Sequence, residues 1–168
     1  MDTTTPRRLS TKDCAKGIRA KLRAAFPGVA FSVRSSTYSG GSSIRIAWTD
    51  GPRPNAVNDV AKVYEGATFD GMTDLKSHLP AREIDGELVE CGADYVFTSR
   101  TVTDFDRLEQ EATARILAGC MVETLANGMK RFGGDWVESL AGGMVRDADF
   151  RDADPLAGSF DRIVLRKT

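Results

Sequence analysis

Ser36-Thr37-Tyr38-Ser39-Gly40-Gly41-Ser42-Ser43-Ile44-Arg45-Ile46-Ala47-Trp48-Thr49-Asp50-Gly51-Pro52 joins a glycine-rich reversal to an alternating run and closes on a stop signal. Glycine adopts positive φ without a Cβ clash, so Ser39-Gly40-Gly41-Ser42 suits a tight turn. Side chains alternate along a strand, which sends Ile44, Ile46 and Trp48 to one side and Ser43, Arg45 and Ala47 to the other. Upstream, Val29, Phe31 and Val33 alternate in the same way with Ser32 and Arg34. The stretch therefore predicts a β-hairpin whose solvent face carries Arg34 and Arg45.

Upstream of the hairpin, Ser10 or Thr11 caps a helix running to about Phe26, where Pro27-Gly28 stops it. Cys14, Ile18, Leu22 and Phe26 recur at helical spacing, while Lys12, Lys16, Arg19, Lys21 and Arg23 give the helix a basic outer face. Residues 1–9 lack apolar periodicity and read as a mobile arm. Downstream of the hairpin, Pro54 opens a short helix through Val57, Val60, Ala61 and Tyr64. Phe69, Met72 and Leu75 are expected on the core edge, and strands over 87–91 and 94–103 complete at least four. Asp104 is expected to cap a long helix over 105–126 that leaves at Asn127-Gly128. Its C-terminal half is apolar over most of its circumference and needs cover on two sides. The sheet is one cover; the other is the helix at Trp136–Leu140, or a second copy of the chain in a homodimer through residues 105–126. An acidic loop over 147–154 and a final strand over 160–165 end the chain. The expectation is an α+β fold: an antiparallel sheet of four or five strands with the basic N-terminal helix and the long C-terminal helix packed on it. Residues 10–168 form one domain in this reading, divided into 10–103 and a helical, acidic extension over 104–168.

The 168 residues carry a net charge of −1 that hides an asymmetry. Residues 1–53 hold ten basic and three acidic side chains, a balance of +7, and the remainder hold thirteen and twenty-one, a balance of −8. Two faces of opposite sign follow if the halves do not neutralise each other, the basic one suited to phosphates. No apolar run approaches the ~18 residues of a membrane span, so no membrane partner is expected. The N-terminus lacks the apolar stretch of a secretory signal. The three cysteines, Cys14, Cys91 and Cys120, have no C-x-x-C spacing and read as reduced thiols of a cytoplasmic protein.

Enzyme signatures are sparse. The one histidine, His78, would have to carry any imidazole chemistry alone, and the phosphate-loop, dinucleotide, zinc-protease and nucleophile-elbow motifs are missing. Asp147, Asp149, Asp152 and Asp154 lack the glycine and the distal glutamate of a calcium loop. No catalytic residue, metal or cofactor is expected. The candidates are for binding: Lys12, Lys16, Arg19 and Arg23 on the helix; Arg34, Tyr38 and Arg45 on the hairpin; and Gly40, Gly41 and Ser42, whose amides offer an anion-binding nest.

Four segments together carry a family resemblance: Phe26-Pro27-Gly28-Val29-x-Phe31-Ser32-Val33; Tyr38 through Pro52; Phe69-Asp70-Gly71-Met72-x-Asp74; and Gly92-Ala93-Asp94-Tyr95-Val96-Phe97-x-x-Arg100. Over roughly residues 12–103 the chain resembles the large polyvalent-protein-associated domains of phages and conjugative elements. The resemblance implies a role in assisting invading DNA, often alongside counter-defence modules, and brings no catalytic residues with it. The expectation is a freestanding, non-catalytic accessory protein that counters a host defence system, CRISPR or restriction, by binding a defence protein or nucleoprotein complex. The alternative is a small nucleic-acid-binding domain contacting phosphates through the basic helix and the hairpin.

Overall fold

The computed structural model describes residues 5–167, and the first four residues of the expected arm lie outside it. The fold is α+β, and the chain gathers into two compact units. The first holds residues up to Trp48 and Asn55–Arg100; the second holds Thr49–Pro54 and residues from Thr101 on. In place of one sheet of four or five strands, the described residues form four small sheets.

The first unit begins with β1 (Arg7–Leu9), where the arm was expected. It pairs in parallel with β7, Arg7 beside Val89 and Leu9 beside Cys91. Three residues carry no readable period, and this strand exists only because a distant partner supplies its hydrogen bonds. Helix α1 (Thr11–Ala25) follows, and a reciprocal capping box starts it: the Ser10 hydroxyl accepts the Asp13 amide while the Asp13 carboxylate accepts the Ser10 amide. Those bonds satisfy amide donors that a helix end leaves open. Ser10→Ala is expected to lower the stability of the chain by about 1 kcal/mol in urea denaturation; an unchanged midpoint would count against the cap. Cys14, Ala15, Ile18 and Leu22 form the buried stripe of α1.

Strands β2 (Ser32–Tyr38) and β3 (Gly41–Thr49) are the hairpin, paired antiparallel from Ser32–Ala47 to Tyr38–Gly41. The turn is Ser39-Gly40, and of the glycine pair only Gly40 has positive φ, at 87°. Helix α2 (Pro54–Ala61) and a 3-10 turn (Lys62–Tyr64) bury Val57, Ala61 and Tyr64. A two-stranded hairpin, β4 (Ala67–Asp70) with β5 (Leu75–His78), occupies the segment expected on the core edge. Phe69, Met72 and Leu75 are exposed there instead. The Asp70 carboxylate accepts the Met72 amide and the Thr73 hydroxyl, which folds residues 70–73 into a turn of their own. Strands β6 (Arg82–Ile84) and β7 (Glu87–Cys91) complete the β1-β7-β6 sheet, and β8 (Tyr95–Thr101) joins β2 and β3 in the order β2-β3-β8. The core of this unit unites α1 with Val33, Ile44, Ile46, Trp48, Val57, Val89 and Val96.

In the second unit, helix α3 spans Phe105–Gly119, shorter than the 105–126 expected. Asp104 stands at its N-cap position in the left-handed region, φ 54°, and makes no capping side-chain bond. Past Cys120 the chain forms β9 (Glu123–Thr124), β10 (Lys130–Phe132) and β11 (Asp135–Trp136), one antiparallel sheet in the order β11-β10-β9. Asn127-Gly128 is the turn of its first hairpin, with the Leu125 amide donating to the Met129 carbonyl at 2.9 Å. Helix α4 spans Val137–Arg146, and α5 (Ala157–Lys167) stands where a final strand was expected. Leu156, Phe160 and Ile163 are spaced three or four apart and join the core that Leu108, Ala112 and Ile116 form with Ala141, Met144 and Val145. The covered face of α3 thus meets α4, the helix expected as one cover, and α5, which stands where the sheet was expected as the other. The expected acidic loop is a set of ion pairs: Asp147 with Arg162, Asp149 with Arg151, and Asp154 with Arg115.

Candidate functional site

The hairpin sheet has one buried face and one that is open around Arg34 and Arg45 but closed at Ser43. Val33, Ile44, Ile46, Trp48 and Val96 share the core with Ile18 and Leu22, so α1 covers the inner face. Alternation then places Arg34 and Tyr38 of β2, Arg45 of β3 and Phe97 of β8 on the outer face. Arg34 and Arg45 are direct cross-strand partners. Both are exposed, and neither has an acidic partner among the described residues. Tyr38 is 50% exposed and Phe97 52%. Phe97 also leans on Tyr95, with ring centroids 6.1 Å apart and planes inclined by 31°.

Strand β8 runs in the same direction as β3. Asp94, just before it, bonds Ser42 near the start of β3, and the Thr101 carbonyl at its end accepts the Asp50 amide just past β3 at 2.8 Å. Tyr38 lies over Gly41, where an added Cβ would come within 3.0 Å of the Tyr38 ring. The absence of a side chain at Gly41 is what lets that ring rest on the strand.

The nest expected at Gly40-Gly41-Ser42 is occupied by the chain itself. Asp94 Oδ2 accepts the Ser42 amide at 2.7 Å, and Oδ1 pairs with Lys76 Nζ at 2.8 Å. The Asp94 amide donates to Ser42 Oγ at 3.1 Å, and that hydroxyl donates to the Gly92 carbonyl at 2.9 Å. Burial opposes ionisation of Asp94. The Lys76 ammonium, the Ser42 amide and the nearby His78 outweigh it and hold the carboxyl below the usual carboxylate range. A buried carboxylate therefore sits where an external anion was anticipated. Ser42 is a structural residue of the sheet's end, and Gly40 serves the turn.

The basic helix residues are elsewhere. Lys12, Lys16, Arg19 and Arg23 are exposed on α1, which lies against the inner face of the sheet. Arg19 Nη2 also donates to the Val33 carbonyl at 2.6 Å. The ten candidates thus separate into three sets: a helix group, the Arg34–Tyr38–Arg45 group on the opposite face, and the internal turn. Phe97 and Tyr95 escaped the sequence reading as surface residues. Their signal was the alternation Tyr95-Val96-Phe97 with an aliphatic residue between two rings.

His78 lies at the end of β5 and is exposed. Among the described residues no three His, Cys, Asp or Glu side chains gather as a metal site, and no helix is long and apolar enough to cross a membrane. Cys14 and Cys91 meet inside the first unit. The Cys91 thiol donates to the Val63 carbonyl at 3.8 Å, and its closeness, with the Gly92 and Ala93 amides, lowers the Cys14 thiol against the effect of burial. The neighbouring Cys14, with burial, pushes Cys91 up.

Residues 9–103 match the family model of large polyvalent protein associated domain 29. The chain belongs to this family. The match begins at Leu9 of β1 and ends just past β8, so the outer face and the Asp94 node lie within the domain 29 portion. Domain 29 is associated with polyvalent proteins of phages and mobile elements. No curated protein and no solved structure matches the chain.

Proposed function

We propose that this protein is a non-catalytic accessory factor of a phage or mobile element that counters a host defence system, CRISPR or restriction, by binding one of its components in the cytoplasm. The family context supports the mobile-element setting. The observation that carries the binding reading is the outer face of the β2-β3-β8 sheet, where two adjacent arginines have no acidic partner among the described residues and two rings stay half exposed. Exposed aromatic and arginine side chains grouped on one preformed face are the residue types that dominate binding energy at interfaces. The alternative, phosphate contact through α1 and the hairpin together, has less support, because these two sets project to opposite sides of one core.

The test is co-expression of the full chain with representative CRISPR and restriction systems, scored by phage plating or plasmid transformation. The native chain is expected to relieve interference by at least one system, and the double substitution R34E/R45E to restore it. Interference left intact by the native chain, together with pull-downs that recover no defence subunit, would sink the proposal.

A further inference from the structure

Two features of the outer face stand in solvent. The first is the arginine pair. Arg34 and Arg45 stand directly opposite each other, both exposed, with no acidic partner among the described residues. Like charges in direct cross-strand register repel, and an anion placed between them offsets that repulsion by attracting both. The second feature is the rings. Tyr38 and Phe97 each leave about half of their surface in water, while Val96 between Tyr95 and Phe97 is fully buried on the other side. The rings are therefore held at the surface by strands fixed from beneath.

We infer that this face binds single-stranded nucleic acid, its phosphates over Arg34 and Arg45 and its bases stacked on Phe97 and Tyr38. The inference rests on the reading of the face as a binding surface and names its occupant: an unpaired DNA or RNA segment, such as one held within a defence nucleoprotein complex. Unpaired bases offer flat π faces to exposed rings, whereas a duplex keeps those faces stacked inside and presents only its backbone. An acidic protein surface would satisfy the arginines and leave the rings without a planar partner. The nine residues of β3 extend roughly 30 Å, a span of several nucleotides.

Fluorescence anisotropy of the full chain with labelled oligothymidylate and oligouridylate of about 15 nucleotides, and with a blunt duplex of the same length, tests this at ~50 and ~200 mM salt. Single strands are expected to bind more tightly than the duplex. F97A is expected to weaken single-strand binding roughly five- to hundredfold without changing the salt slope, and F97W to retain it. R34A/R45A is expected to reduce the slope of log affinity against log salt by about 1.4, since each single-strand phosphate contributes about 0.7. All three variants alter exposed side chains and are expected to melt within a few degrees of the native chain, which separates lost contact from lost folding. Duplex binding as tight as single-strand binding, or affinity indifferent to F97A, overturns the inference. If the native chain binds no oligonucleotide at low salt yet captures a defence subunit in an Arg34- and Arg45-dependent manner, this inference falls and the proposed function stands. If it does neither, both fall.

Discussion

Replacing Gly66 with alanine is expected to destabilise the chain by about 4 kcal/mol, enough to leave much of the protein unfolded or insoluble. Gly66 lies between the 3-10 turn and β4, where the backbone is held on both sides. Its amide donates to the Ala93 carbonyl at 2.7 Å, its carbonyl accepts the Leu79 amide at 2.8 Å, and the next amide, of Ala67, donates to the Asp94 carbonyl at 3.1 Å. A Cβ built at Gly66 would sit 2.1 Å from the Cys91 carbonyl oxygen and 3.0 Å from that of Ala93. These obstacles are backbone atoms, so no rotamer change relieves them. The segment must retreat, and retreat breaks the three bonds that hold it. Gly71→Ala is the control: nothing lies within 4 Å of its added Cβ, and its effect is expected to stay within ~0.5 kcal/mol. Urea denaturation of both variants settles the matter, and a Gly66 variant with a native midpoint would refute the close approach.

Asp94→Ala is expected to cost about 3 kcal/mol near neutral pH. It leaves the buried Ser42 amide without its acceptor and the Lys76 ammonium, whose side chain is only 28% exposed, without its counter-charge. Lys76→Ala removes the cation and leaves the amide bond intact, so its effect is expected to be smaller, about 1 kcal/mol. The pH dependence has a definite sign. The folded carboxyl titrates below its unfolded value of 3.8, so the ionised form is the one that folding favours. Its contribution is fully present above that value and is lost as pH falls from about 4 through the folded value. The stability gap between the native chain and Asp94→Ala should therefore narrow in acid. Denaturation at neutral pH and at about pH 3 measures it, and a gap that widens in acid would reverse the assignment.

The hairpin was legible because two independent signals agree on it: the alternation through Ile44, Ile46 and Trp48, and the positive-φ demand met at Gly40. Helix α1 was legible for the same kind of reason, its apolar stripe and its Ser10 cap being local. What the sequence did not disclose depends on contacts between distant residues. That α1 covers the face opposite Arg34 and Arg45 follows from which surface buries, and periodicity alone gives both elements an apolar side without saying that the two sides meet. The Ser42 amide read as open because its partner, Asp94, is 52 residues away. The errors in the second unit are of another kind. Asn127-Gly128 signals a helix exit and a hairpin turn equally well, and the run Phe160 to Leu165 is short enough to satisfy either period. Gly133-Gly134, both with positive φ, was the stronger hairpin signal in that region and points to the β10–β11 reversal.

The parallel pairing of β1 with β7 has a consequence for how the chain comes into being. Arg7 meets Val89, so β1 stays without its partner until 82 further residues have been joined. Neither hairpin made in the interval, β2–β3 or β4–β5, offers it a place. During translation the emerging segment remains dependent on whatever else shields it, and the first unit cannot close before β7 has left the ribosome. A nascent chain halted anywhere short of Cys91 has the beginning of the domain in hand and no means of finishing it.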